Sequence, residues 1–64
     1  MMTTLVDSVD GRRWEVDDLP ILAKGVLLSL AGAFAARRVT DVHLHLDHEG
    51  RLSGQVLILG TSGE

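Results

Sequence analysis

Asp17-Asp18-Leu19-Pro20-Ile21-Leu22-Ala23-Lys24-Gly25-Val26-Leu27-Leu28-Ser29-Leu30-Ala31-Gly32-Ala33-Phe34-Ala35-Ala36-Arg37-Arg38 is the stretch on which the fold class turns. Read at helical spacing, Leu19, Leu22, Val26, Leu27, Leu30, Ala33 and Phe34 line up as a wide apolar stripe. Asp17 or Asp18 supplies an N-cap, and their charge suits the positive end of a helix. Pro20 falls in the first turn, where its missing N–H is harmless. Arg37 and Arg38 complement the negative end. The pattern therefore predicts one long helix from about Asp17 or Asp18 to Arg37 or Arg38. Its back carries Lys24, Leu28, Ala31, Ala35 and Arg38, which is only weakly polar. Leu28, Ala31 and Ala35 are accordingly expected to form a second contact surface.

Strand patterns flank this stretch on both sides. Asp10-Gly11 between Thr3–Val9 and Arg12–Val16 is a two-residue hairpin signal. It pairs Asp7 with Trp14 and Leu5 with Val16, and it gathers Leu5, Val9, Trp14 and Val16 on one face. His48-Glu49-Gly50 reads as a three-residue loop between Val39–Asp47 and Arg51–Leu59. That register sets Asp47 opposite Arg51 and His43 opposite Gln55. Thr40, Val42, Leu44, Leu46, Leu52, Val56 and Ile58 then face the core. Leu57 and Leu59 interrupt the otherwise polar outer face and read as another contact patch. The expectation is an α+β fold, ββαββ, with a four-stranded antiparallel sheet and one long helix packed on one face. Residues 1–60 make a single domain, and 61–64 a flexible C-terminal tail.

Composition bounds the function classes. The chain has 64 residues, no cysteine and 45% hydrophobic residues. Disulfides, thiolate metal sites and cysteine nucleophiles are excluded. A chain this short has a marginal core, and so much apolar surface is hard to hide in a monomer. Self-association, most simply as a homodimer, and a protein partner follow as expectations. A net charge of −3 offers no overall attraction for nucleic acid or anionic membrane. The apolar run from Ile21 to Ala36 falls short of the about 20 residues a membrane span requires. Gly25, Ser29 and Ala33 do form a small-xxx-small spacing within it. No basic n-region precedes the run, so no secretory signal is read. Together with the lack of cysteine this makes a cytoplasmic location the expectation.

The sharpest chemical signal is His43-Leu44-His45-Leu46-Asp47-His48. As H-x-H-x-D-H it resembles the zinc signature of the metallo-β-lactamase-like hydrolases. That resemblance implies a metal on His43 and His45 and a second on Asp47 and His48. It covers only this short string. The family's downstream histidine ligands have no counterpart after His48, and its signature leads into a helix where a strand pattern follows here. A simpler site rests on strand geometry. Residues i and i+2 share a face, so His43 and His45 can chelate one divalent ion with Asp47 and His48 nearby. A third set, Arg12, Arg13, Arg37 and Arg38, could bind phosphate or nucleic acid. Interspersed acids and the lack of an exposed aromatic platform argue against that reading. No nucleophile constellation is present. The leading expectation is a small non-enzymatic oligomeric interaction or regulatory module without a cofactor. A metal-binding protein or minimal metalloenzyme is the alternative, and a phosphate binder the second alternative.

Overall fold

A computed structural model of the chain describes residues 1–62. It is all β: β1 (Met2–Asp7), β2 (Arg13–Asp17), β3 (Leu27–Leu30), β4 (Phe34–Leu46) and β5 (Leu52–Ser62). They form one five-stranded sheet in the order β2-β1-β5-β4-β3. β1 runs parallel to β5, and the other three pairs are antiparallel. The α+β expectation, with its long helix and wholly antiparallel four-stranded sheet, is therefore overturned.

The local reason lies in the stretch first read as helix. Four of its residues have positive φ: Asp18 (65°), Gly25 (100°), Gly32 (82°) and Ala36 (46°). A right-handed helix accommodates none of them. Gly32 occupies the third position of a tight turn closed by the Ala33 N–H donating to Leu30 O at 2.9 Å, where positive φ calls for glycine. Gly25 turns the chain into β3, and its N–H donates to Val39 O at 2.8 Å. Between these glycines, Val26, Leu28 and Leu30 are half-buried while Leu27 and Ser29 are exposed. That is the period of a strand. A short apolar run satisfies both periods, and the glycines at its ends decide between them.

The sheet is curled. The Trp14 ring on β2 meets the Phe34 ring on β4 with centroids 5.1 Å apart and planes inclined at 58°. Two strands lie between β2 and β4, so in a flat sheet their axes would be about 14 Å apart. Curling brings the two rings together over the concave face. Leu5, Val39, Leu57 and Leu59 are buried there, packed by Trp14, Val16, Leu22, Leu28, Leu30, Phe34 and Val42.

Both hairpins depart from their expected registers. The β1–β2 pair sets Leu5 opposite Trp14 and Thr3 opposite Val16, a shift of two residues, with Ser8–Gly11 as the loop. A two-residue shift preserves faces, so Leu5, Trp14 and Val16 still point inward together. Val9 moves into the loop and is exposed. The Asp7 carboxylate accepts the Val9 N–H at 2.8 Å, and Asp10 accepts the Arg12 N–H at 2.9 Å, which favours the longer loop.

In the β4–β5 hairpin the loop His48–Gly50 forms as expected, with the Asp47 N–H donating to Arg51 O at 2.8 Å. Leu46 sits opposite Leu52, but the next pair is His45 with Gly54. That one-residue bulge reverses the faces of β5. Gln55, Leu57 and Leu59 turn inward, and Val56 and Ile58 turn outward and remain half-buried. Leu57 and Leu59, expected as a contact patch, are wholly buried in the core. Thr61 and Ser62, expected in a tail, belong to β5, and Ser62 pairs with Arg37. Gly63 and Glu64 lie outside the described residues. No helix among the described residues is long and apolar enough to cross a membrane.

Candidate interaction surfaces and polar clusters

The connection from β2 to β3 must travel from one edge of the sheet to the other. Residues 18–26 cross the concave face, and one amide holds them there. Gln55, only 1% exposed at the centre of β5, accepts the Leu22 N–H through Oε1 at 3.3 Å. Its Nε2 donates to Pro20 O at 2.8 Å and to Thr3 Oγ1 at 3.0 Å. Every polar atom of the side chain has a partner, as a buried amide requires. Leu22 is thereby seated against the core. Sequence reasoning placed Gln55 on the solvated face, and the unforeseen bulge moved it inside.

A second internal polar contact ties β1 to β4. The Arg37 guanidinium donates from both terminal nitrogens to Asp7, at 2.9 and 3.0 Å, and from Nε to Gly60 O. The two side chains are 12% and 8% exposed. The Arg37 hydrogen bonds, joined by the Val9 N–H, hold the Asp7 carboxyl well below the usual carboxylate range, against the opposing effect of desolvation. The same partner raises Arg37. The visible signal was a carboxylate on the apolar face of β1, which needs a cation to be buried there.

This pairing takes Arg37 out of the expected phosphate set. Arg37 is committed to Asp7. Arg38 donates to Gly25 O at 2.7 Å. Arg12 lies 3.4 Å from Asp10 in the β1–β2 loop, and Arg13 sits on β2, with two strands between it and β4. Two of the four guanidinium groups, those of Arg37 and Arg38, are therefore engaged within the fold.

The histidine string is divided as well. His43 and His45 project from the convex face and stack, with ring centroids 4.9 Å apart and planes inclined at 17°. Asp47 does not join them as a ligand. Its Oδ1 accepts the Glu49 N–H at 2.8 Å and the Arg51 N–H at 2.9 Å, so it caps the loop. Nor does its carboxylate pair with the Arg51 guanidinium, whose ionic neighbour is Glu49 at 3.7 Å. Among the described residues, no three His, Asp or Glu side chains are grouped to hold a metal ion.

What remains at the surface is apolar. Leu44, Leu46 and Leu52 are 44%, 61% and 37% exposed at the end of the β4–β5 hairpin, which extends beyond β1. Leu27 on β3 is 49% exposed, and Ala31 in the β3–β4 turn and Ala35 at the start of β4 are exposed. Leu28 from the expected contact set is half-buried against the core instead. No cavity is found among the described residues.

Neither the family models, nor the curated proteins, nor the solved structures compared with this chain include a match.

Proposed function

We propose that this chain is a small non-enzymatic interaction module that works as a homo-oligomer, most simply a dimer, and offers sheet surface to a protein partner. The observation behind this reading is the imbalance of its apolar residues. Among the described residues only four hydrophobic side chains form the buried core, while eight large ones are 37–69% exposed. Stable domains pack two layers around a core. Here one sheet carries the core, and a single crossing segment covers it. The radius of gyration, 11.7 Å, exceeds the about 10.7 Å of a compact chain of this length, consistent with the projecting hairpin. The metal and phosphate alternatives have weaker support, because Asp47 and Arg37 are engaged within the fold.

Sedimentation velocity and native mass spectrometry of untagged protein over a wide concentration range test the proposal. Reversible association is expected. A strictly monomeric species at every concentration would refute it.

A further inference from the structure

An open sheet has two edges, and in this chain they are built differently. The β2 edge is Arg13-Trp14-Glu15-Val16-Asp17, and each of its exposed residues is charged. Charges along an edge strand discourage another strand from pairing with it. The β3 edge is Leu27-Leu28-Ser29-Leu30, which carries neither charge nor proline. β3 pairs with β4 on one side only, so its other side presents an unpaired ladder. The exposed residues at this edge are Leu27 and Ser29, followed by Ala31 in the turn.

We infer that the β3 edge is the self-association surface, and that it pairs antiparallel with β3 of a second copy about a two-fold axis, continuing the sheet from one protomer into the next. The inference rests on the oligomeric reading above and gives that reading its surface. Charge on the edges argues for a second copy in this arrangement. Pairing β3 with β2 of another copy would be head-to-tail and would propagate into a filament. The charges on β2 oppose it. Pairing β3 with β3 is self-complementary and closes at two.

The pattern along β3 also selects a register. Residues opposite one another in a two-fold antiparallel pair must point to the same face. Centring the axis on a residue satisfies this, and centring it on Ser29 pairs the two half-buried leucines of β3 with each other. Leu28 of each copy then meets Leu30 of the other on the concave side, extending the apolar interior. Leu27 of each copy lies beside Ala31 of the other on the convex side. A four-residue ladder falls below the roughly 800 Å² per partner of a standard interface, so the dimer is expected to be weak, in the micromolar range.

A charge-reversal pair tests this register. Leu27 and Ala31 are both exposed, so substitution there leaves the fold intact. Leu27→Lys/Ala31→Lys sets like charges against each other twice across the axis. Leu27→Lys/Ala31→Glu sets opposite charges there. Sedimentation velocity at low salt should show the first variant associating at least about tenfold more weakly than the second. Circular dichroism should be the same for both. Association of the Lys/Lys variant equal to wild type, while wild type dimerises, would overturn the β3 edge and leave the oligomeric module standing. A wild-type chain that stays monomeric would overturn both.

Discussion

Gln55→Met is the substitution that most directly tests how this fold is held closed. Methionine keeps the length and roughly the volume of glutamine and removes both polar ends. Three hydrogen bonds are lost: from the Leu22 N–H, to Pro20 O and to Thr3 Oγ1. At about 1 kcal/mol net apiece the sum is about 3 kcal/mol. Two corrections reduce it. The contact to Leu22 is long at 3.3 Å, and the bond to Pro20 O is only partly buried. An expected loss of about 2 kcal/mol remains. For a chain of this length total stability is roughly 3–10 kcal/mol, so the loss is a large share. It corresponds to a fall in Tm of about 8–16 °C. Thermal and urea denaturation should be compared at fixed protein concentration, because association would shift both. Amide exchange adds a local readout, since Leu22 should lose protection more than residues of β1 and β5. A Tm within about 2 °C of wild type, with Leu22 protection unchanged, would refute the role given to Gln55.

The ion pair and a crowded glycine supply two further predictions. The folded state lowers the Asp7 pKa, so the stability this pair contributes is fully present above the ordinary aspartate value of about 3.9 and is lost as pH falls through the lower folded value. Asp7→Asn should therefore be less stable than wild type near neutrality, and the gap should narrow on acidification below about pH 4, as followed by urea denaturation across pH. A gap that stays constant down to strongly acid pH would contradict the assignment. At Gly54 an added Cβ would lie 2.9 Å from the Met2 carbonyl oxygen, a backbone atom that cannot swing aside. Gly54→Ala should cost about 1–3 kcal/mol, with lost exchange protection at the start of β1; an unchanged denaturation midpoint would show that the two strands can separate there.

The parts of the fold legible in the sequence are those set by local chemistry. The β4–β5 loop and both strands around it could be read because Gly50 and Asp47 mark that loop unaided. The inward set Leu5, Trp14 and Val16 survived a wrong register, because the error was an even number of residues. Gln55, Leu57 and Leu59 were misplaced because the error there was odd. Its source, the extra residue Ser53 opposite the His45–Leu46 step, is marked in the sequence only by the isolated Gly54 beside it. The long helix failed for a different reason. Its apolar residues fit two periods, and Gly25 and Gly32 counted for too little against so many leucines and alanines. Among candidate site residues, His43 and His45 share a face, as the i, i+2 spacing of a strand dictates. That Arg37 turns inward was not legible, since its partner Asp7 lies far away in the chain and meets it only through the β5 strand between them.

The strand order explains why so few side chains hold the structure together. β1 and β5 are neighbours at the centre of the sheet although they come from opposite ends of the described chain. A parallel pair cannot be closed by a tight turn, and here the chain between them forms three hairpins and a crossing segment. Loop closure has to be met before that pairing stabilises anything, which makes β1–β5 a late contact. The two internal polar contacts sit at this junction. Gln55 joins β5 to Thr3 on β1 and to the crossing segment. Arg37 reaches from β4 to Asp7 on β1 and to Gly60 on β5. Each requires strands distant in sequence to be placed together, so each discriminates against registers that apolar contacts alone would tolerate. A curled sheet with so small a core depends on that discrimination, because a shift of one residue would turn Leu57 and Leu59 out to solvent and Val56 and Ile58 inward.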